Sequence, residues 1–265
     1  MKHLMHRWFS VIVIYIILVS QGCGWKPQQG VPQNVTIPQI LYAIEKYSSN
    51  IKDLSARVNV RANIDGHSED AIADIRYINP DRFRIYIKGF AGIDIARISA
   101  FDDSMVIYIP NENVYIKAER NENIIGVFIP EFDIDLISIE SIVNGTLPQP
   151  EERGEFQMSM KRSGKQAELI LKRKETMYIY SVKGPNLELV DEKTIHDDVQ
   201  VWHKIVSKYS SFDGIDFPVE ISIERGSNVF QLKFSKCVIN SGLTDRDLSF
   251  NIPSSAEEAF IEKRR

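Results

Sequence analysis

Residues 53–64 read Asp-Leu-Ser-Ala-Arg-Val-Asn-Val-Arg-Ala-Asn-Ile, and this stretch decides the fold. Every even-numbered position carries an apolar side chain and every odd-numbered position a polar one. Because side chains on a β-strand point alternately to opposite faces, the pattern predicts a long strand with one dry face and one solvated face. The pair Asp65-Gly66 follows directly and favours a tight hairpin turn.

The same alternation continues through most of the chain. Short links such as Asn79-Pro80 and Asp102-Asp103 separate the alternating stretches, which favours antiparallel neighbours. Counting residues 53–64, the chain has about 11 to 13 predicted strands, each apolar on one side only. This number of strands predicts one strongly curved sheet or barrel, and we expect it to form a single domain. The further predicted strands cover residues 69–78, 81–88, 93–101, 104–109, 113–119, 155–162, 167–173, 177–183, 187–195, 198–208, 216–224 and 228–239.

Two helical segments accompany the strands. Thr36 is a suitable helix cap, and the apolar residues that follow it recur at three- and four-residue spacing, which predicts an amphipathic helix of about 14 residues. Mixed apolar spacing over residues 132–145, ending in Asn144-Gly145, predicts a second, shorter helix. The stripe of the first helix consists of Ile37, Ile40, Leu41, Ile44, Tyr47 and Ile51.

The composition excludes several classes of protein. The 265 residues include 32 Lys+Arg and 36 Asp+Glu, for a net charge of −4, and no basic stripe of the kind that binds nucleic acid. An apolar share of 43% is enough to form a core, so intrinsic disorder of the whole chain is excluded. Two cysteines are too few for a disulfide scaffold.

The N-terminus has the pattern of a targeting signal. A charged start precedes the apolar run Trp8–Val19, whose 12 residues would form a helix of about 18 Å, too short for roughly 30 Å of hydrocarbon. The sequence Ser20-Gln21-Gly22-Cys23 resembles a bacterial lipoprotein lipobox, although that family usually has Leu where Ser20 stands. The resemblance implies cleavage before Cys23 and acylation of its sulfur. The alternative is an ordinary signal peptide with a chance cysteine.

The predicted domain organisation follows from these patterns. Residues 1–22 are the lipoprotein signal peptide, 23–35 a lipidated tether rich in Pro, Gly and Gln, 36–253 the β domain, and 254–265 a disordered or weakly helical tail. Gly24 follows the cysteine, where enteric lipoproteins retained in the inner membrane have Asp. By that resemblance the location is the periplasmic face of the bacterial outer membrane.

A sheet this long has more apolar surface than two short helices cover, which predicts a partly hollow interior for apolar ligands. The alternative is a filled core. The predicted lid residues are Ile40, Leu41, Ile44 and Ile137. The predicted cavity-lining residues are Leu54, Ala56, Val58, Val60, Phe83, Ile85, Ile87, Met105 and Ile107.

Four blocks of the chain resemble the LolA/LolB-type lipoprotein carriers and related bacterial lipoproteins. They are Asp81–Gly92 (DRFRIYIKGFAG), Ile129–Leu147 (IPEFDIDLISIESIVNGTL), Asp213–Glu224 (DGIDFPVEISIE) and Val229–Ile239. The resemblance covers most of residues 36–253. It implies a mainly β (α+β) fold: an unclosed antiparallel β-barrel of about eleven strands with a helical lid over an apolar cavity. The chain departs from LolB in an extra hairpin's length of residues between about 174 and 200.

The resemblance also implies a function. The cavity would take the acyl chains of lipoproteins or lipids, which are then handed to the outer membrane, with a periplasmic LolA-like carrier as a partner and the protein acting as a monomer. The place that matches the exposed leucine with which LolB assists membrane insertion is Phe90, between Gly89 and Ala91. The alternative is that Phe90 folds back on the core. A non-catalytic interaction lipoprotein in outer-membrane assembly is the alternative, and a periplasmic lipid hydrolase is the third hypothesis.

The sequence shows no catalytic motif. Gly-x-Ser-x-Gly, the Walker loop and His-Glu-x-x-His are all missing, so no catalytic residue, metal ligand or cofactor is predicted. The stretch His196-Asp197-Asp198 indicates a turn between strands rather than a metal site. His203 is interpreted as a satisfied interior or rim histidine, and Cys237 as a small buried hydrophobic residue.

Overall fold

Fourteen strands form one sheet in the computed structural model, which describes residues 30–101, 103–119, 147–148 and 151–259. The helices are α1 (Ile37–Ser49) and α2 (Asp245–Leu248), with short 3₁₀ turns at Phe90–Gly92 and Arg153–Glu155. The strands are β1 (Asp53–Ile64), β2 (His67–Ile78), β3 (Arg82–Lys88), β4 (Asp94–Phe101), β5 (Ser104–Ile109), β6 (Val114–Glu119), β7 (Gln157–Ser163), β8 (Gln166–Arg173), β9 (Thr176–Lys183), β10 (Glu188–His196), β11 (Val199–Phe212), β12 (Ile215–Arg225), β13 (Asn228–Ile239) and β14 (Glu257–Glu258).

The strand order shows how the chain builds the sheet. It is β14-β6-β5-β4-β3-β2-β1-β13-β12-β11-β10-β9-β8-β7. From β1 the chain therefore runs outward by hairpins to β6, resumes at the opposite edge with β7, and returns by hairpins to β13. β1 and β13 then pair antiparallel at the centre, with Val58 opposite Phe234 and Ala62 opposite Phe230. Within the described ranges, the two ends of the sheet are not paired with each other.

The predicted fold class is confirmed: a mainly β protein built on one unclosed antiparallel sheet. All thirteen predicted strands are present, and most of their ends lie within three residues of the predicted ones. The largest difference is at β11, which continues to Phe212. The extra residues between about 174 and 200 form the β9–β10 hairpin. The second predicted helix, at 132–145, lies outside the described residues.

The expectation of a disordered or weakly helical tail after Pro253 is wrong for residues 257–258. These two residues form β14, which pairs parallel with the edge strand β6. The backbone N–H of Glu257 donates to the carbonyl of Asn113 at 3.0 Å, and that of Ala259 donates to the carbonyl of Tyr115 at 2.8 Å. An edge strand has unpaired backbone groups, and these bind the tail segment in an extended conformation.

Apolar side chains cover one face of the sheet, here called the inner face, in two clusters. The central core joins β1–β5 to β11–β13 and includes Leu54, Phe83 and Phe217. The helix-side core packs α1 against β7–β10. Helix α1 contacts β7, β10 and β12, so it lies across several strands at that end of the sheet. The buried members of the helix-side core are Val35, Ile40, Ala43, Ile44, Phe156, Ala167, Leu169, Leu171, Tyr180, Val182, Leu187 and Leu189.

The opposite, outer face carries charged side chains in cross-strand pairs. Arg57 forms a bidentate pair with Asp74 (2.7 and 3.0 Å), and these hydrogen bonds lower the pKa of the Asp74 carboxyl. Helix α2 and the residues after it pack on this face of β2–β4. There the Ser99 hydroxyl donates to the carbonyl of Leu248 at 2.7 Å. The outer face is thus solvated or covered by the C-terminal segment.

A buried carboxylate fastens the start of β1 to the residues after β13. Asp53 is only 5% exposed. It accepts hydrogen bonds from the backbone N–H and hydroxyl of Ser241 (2.8 and 2.9 Å) and from the N–H of Gly242 (2.9 Å). Asn240 adds a bond from the N–H of Lys52 to its side-chain oxygen at 2.7 Å. These bonds hold the central strand pair at one end.

We expect Asp53→Ala to lower the free energy of unfolding by about 1–3 kcal/mol, because it removes a buried carboxylate that accepts three hydrogen bonds from Ser241 and Gly242. Urea titration followed by circular dichroism measures this change. Asp70→Ala is the control, since its pair with Arg61 is well exposed and should contribute less than about 1 kcal/mol. Equal effects of the two substitutions would contradict the structural role assigned to Asp53.

Candidate functional site

The predicted cavity-lining residues all lie on the inner face of β1, β3 and β5. Strands β2 and β4 lie between them. Val58 on β1 is opposite Ala73 on β2, which in turn is opposite Ile87 on β3. Ile85 on β3 is opposite Ile98 on β4. The structure therefore brings these residues together in the central core. Val60 and Ile87 are partly buried. The nearly fully buried ones are Leu54, Ala56, Val58, Phe83, Ile85, Met105 and Ile107.

The predicted lid residues that the structure describes lie in the helix-side core. Ile40 and Ile44 are buried in the helix-side core, and Leu41 packs against it. Helix α1 thus covers the β7–β10 end of the inner face rather than the β1–β5 end, so the two predicted sets share a face but not a cluster. Ile137 lies outside the described residues.

Sequence reasoning missed the residues beneath the helix. Leu169 and Leu171 on β8 and Tyr180 and Val182 on β9 are fully buried on the inner face. The alternation Ala167, Leu169, Leu171 within residues 166–173 already indicated one dry face. The apolar face therefore extends across the whole sheet and not only across β1–β5.

Sequence reasoning also missed a charged pair on the inner face. The Lys204 ammonium lies 2.6 Å from a carboxylate oxygen of Glu192, and the side chains are 3% and 0% exposed. The two residues are register partners on β11 and β10. A lysine between Trp202 and Val206, at an otherwise apolar alternate position, was the signal that could have revealed it.

The turn after β3 has the geometry of an exposed apolar tip. Its 3₁₀ turn, Phe90–Gly92, has left-handed backbone at Ala91 (φ 57°) and Gly92 (φ 76°). A Cβ at Gly89 would lie 2.8 Å from Cδ1 of Ile95, so a side chain there would require the Ile95 side chain to shift. Ile93 is 54% exposed beside this turn. The backbone of Phe90 therefore lies in a turn bordered by solvent-exposed apolar residues.

The histidines take structural positions. His203 has a 12% exposed side chain on the outer face, with Nδ1 2.9 Å from Glu224 and Nε2 2.8 Å from Asp191. This agrees with the interpretation of a satisfied rim histidine. His196 ends β10, and the next two residues form the predicted turn. Over the described ranges, no group of three or more His, Cys, Asp or Glu side chains is arranged to hold a metal ion.

A groove on the surface is separate from the predicted cavity. It encloses 440 Å³ between the start of the described chain, helix α1 and the β9–β10 and β11–β12 turns. Its lining includes Asn34, Tyr42, Lys46 and Asp216 and none of the predicted cavity residues. The groove is therefore a feature of the solvated side of α1.

Cys237 is half-buried on β13 against the central core. Burial raises the pKa of its thiol from 9.0 to about 11. Cys23, the predicted lipidation site, lies outside the described residues. The interpretation of Cys237 as a small hydrophobic residue fits this position, because the neutral thiol is the form that burial favours.

We expect the Cys237 thiol of the folded protein to react with iodoacetamide roughly a hundredfold more slowly at pH 8 than the unfolded chain does, since only the thiolate reacts. The rate should rise as the pH passes from 9 towards 11, the interval between the ordinary and the raised pKa. A Cys23→Ala background makes Cys237 the sole thiol, because the chain has two cysteines. Equal rates in buffer and in urea would contradict the burial of this thiol.

The fold defined by this open sheet is shared with several solved proteins. A DUF1329 family protein from Desulfovibrio piger superposes with a TM-score of 0.57 at 14% identity, covering 80% of this chain and 96% of its own. A LolA superfamily protein from Nitrosomonas europaea gives 0.55 at 12% identity, covering 82% and 98%. An outer membrane lipoprotein-sorting protein domain from Vibrio parahaemolyticus gives 0.57 at 10% identity, covering 79% and 94%.

These similarities confirm the LolA-type resemblance at the level of the fold. No family model matches the chain, and no curated protein matches it in sequence. Within the described part of the chain, no helix combines the length and the apolar character that crossing a bilayer requires.

Proposed function

We propose that this protein is a lipoprotein of the bacterial outer membrane, anchored on the periplasmic face through an acylated Cys23. It binds acyl chains against the inner face of its sheet and takes part in the transfer of lipoproteins or lipids to that membrane. The observation that carries the proposal is the inner face itself, which is apolar from β1 through β13 except at the Glu192–Lys204 pair, in a sheet that does not close.

Acyl chains suit this face for energetic reasons. Each buried CH₂ group contributes about 0.8 kcal/mol, so one long chain supplies enough free energy for stable binding. The strands provide branched aliphatic and aromatic side chains with few polar groups, as lipid sites require. Solved proteins of the same fold include a LolA superfamily protein and a lipoprotein-sorting domain, which supports this ligand class.

The turn at Phe90–Gly92 is the proposed point of contact with the bilayer. Ile72 and Ile95, each 38% exposed, and Ile93 surround it with apolar surface. Lys88 precedes the turn and is the register partner of Ile72 on β2. Apolar side chains beside a lysine suit the interface between headgroups and acyl chains.

A non-catalytic interaction lipoprotein in outer-membrane assembly is the second candidate. It is favoured by the tight burial of the central core, where Leu54 and Phe83 are 0% exposed and Met105 is 1% exposed. A filled core of this kind would leave the surfaces, rather than the interior, to bind a partner protein.

Lipid uptake distinguishes the two candidates. We expect the protein, purified in detergent and transferred to buffer, to carry fatty-acyl lipid detectable by mass spectrometry, because the inner face is apolar. We expect Val60→Glu to reduce this lipid at least severalfold, since Val60 is a partly buried inner-face residue. Val201→Glu is the matched control on the outer face, where Val201 is 40% exposed.

Both variants should keep the circular dichroism spectrum of the wild type. A lipid-free wild-type protein that refuses added fatty acid would favour the interaction lipoprotein. If Val60→Glu and Val201→Glu carry equal amounts of lipid, the lipid does not bind on the inner face.

Transfer to a membrane tests the Phe90 turn. We expect Phe90→Glu to retain bound lipid but to deliver it to vesicles at least severalfold more slowly, because a carboxylate enters the bilayer interface poorly. Release of a fluorescent acyl lipid to vesicles measures the rate. Tyr42→Glu is the control, since Tyr42 is 65% exposed on α1, away from this turn. Unchanged transfer by Phe90→Glu would remove the proposed membrane role.

A further inference from the structure

Two neighbouring strands place a compact group of polar side chains on the inner face. In the β10–β11 ladder, Glu192 is opposite Lys204 and Thr194 is opposite Trp202. Residues two apart on a strand point to the same face, so all four project inward. We call Glu192, Thr194, Trp202 and Lys204 the polar patch.

The rows around the patch are apolar. Tyr180 flanks Glu192 on β9, and Ile223 flanks Lys204 on β12. Both residues are 1% exposed or less. The charged pair therefore lies in the floor of the inner face, in the seam between the helix-side core and the central core.

The buried Glu192–Lys204 ion pair is expected to contribute little free energy to the stability of the fold. Moving a carboxylate and an ammonium out of water costs more than their attraction usually returns, and apolar side chains of similar volume are often as good or better. At 0% and 3% exposure, the side chains of Glu192 and Lys204 are both withdrawn from water and are subject to this cost. A role other than stability accounts better for charges at this place.

Trp202 adds a buried donor that has no acceptor among the described residues. Its indole N–H is buried, and no atom of the described residues accepts a hydrogen bond from it. Buried donors in folded proteins are nearly always paired, because an unpaired one is costly. An acceptor oxygen of a ligand would satisfy this N–H.

The position of the polar patch along the strands determines how an amphipathic ligand would be oriented on the inner face. Trp202 and Thr194 are one row nearer the β10–β11 turn than the ion pair. On the other side of the pair, the inner face continues with Val206, Ile221 and Val219, which are all buried and apolar. An amphipathic ligand would thus place its hydrocarbon along this apolar surface and its polar linkage at the patch.

We infer that the polar patch binds the ester-linked end of an acylated glycerol. The Trp202 indole N–H donates to an ester carbonyl oxygen, and the Glu192–Lys204 pair forms a polar wall beside the glycerol oxygens. This inference rests on the proposed function and names its ligand class. The same ester chemistry occurs in the diacylglyceryl group of lipoproteins and in phospholipids.

The experiment compares two probes on the full chain in detergent-free buffer. Dioctanoylglycerol carries two ester carbonyls, and its dioctyl ether analogue has the same hydrocarbon without them. We expect the wild type to bind the diester about tenfold more tightly, or about 1.4 kcal/mol. We expect Trp202→Phe, which keeps an aromatic ring but removes the N–H, to lose this preference while its affinity for the diether is unchanged.

Two further variants separate a binding role from a structural one. Tyr209→Phe removes a hydroxyl on the same strand that already donates to the carbonyl of Leu189 at 2.7 Å, and it should keep the tenfold preference. The double variant Glu192→Leu/Lys204→Met should fold with a melting temperature no lower than that of the wild type, yet bind the diester less tightly.

The outcomes distinguish this inference from the proposed function. Equal binding of diester and diether by the wild type, or an unchanged preference in Trp202→Phe, overturns the assignment of the patch and leaves acyl binding intact. Failure of the wild type to bind either probe overturns the proposed function as well. If the wild type prefers the diester, we next compare two natural sources of the ester linkage. They are an S-diacylglyceryl-cysteine peptide and phosphatidylglycerol. Both should bind less tightly to Trp202→Phe, and the tighter one identifies the source.

Discussion

The antiparallel pairing of β1 with β13 is the interaction on which the rest of the structure depends. Apart from the edge pairing of β6 with β14, all other long strands pair only with the strands next to them in sequence. Hairpins alone would therefore give two separate sheets, one of β1–β6 and one of β7–β13. Pairs such as Leu54 with Ile239 join those two sheets at the middle. Pairing β1 with β13 closes a loop that contains all the strands between them, and the entropic cost of closing a loop grows only slowly with its length. The hydrogen bonds of the buried Asp53 carboxylate to Ser241 and Gly242 fasten this junction.

Joining the two halves gives the protein one inner face that is apolar except at the polar patch. The single long helix of the described residues is too small to cover this face. Helix α1 packs Ile40 and Ile44 over the β7–β10 end. The β1–β5 end and β11–β13 instead form a core of their own. A face of this extent is the physical basis of the proposed acyl-chain binding, because it offers hydrocarbon contacts along strands of both halves.

Much of the fold was predictable because the strands alternate with a strict period of two. Residues 53–64 needed no tertiary information, since each even position is apolar. The placement of α1 over β7–β10 was not predictable, because an amphipathic stripe does not say which strands it will cover. The strand β14 was missed for a similar reason: Glu257 and Glu258 have little intrinsic strand preference and depend on the exposed edge of β6.

The buried ion pair shows where local patterns fail at the candidate site. Glu192 is opposite Lys204 because an irregularity between Thr194 and Ile195 sets the register of β10 against β11. A second irregularity, between Leu189 and Asp191, sets the register of β10 against β9. Residues 188–196 have no clean alternation, so the face of each side chain follows from that register. The outer-face pair Arg57–Asp74 remains 40% and 31% exposed and costs little to solvate. A charge pair withdrawn from water lies beside an indole N–H that donates to no residue in the described part of the chain. Hydrocarbon packing alone does not explain this feature of the inner face.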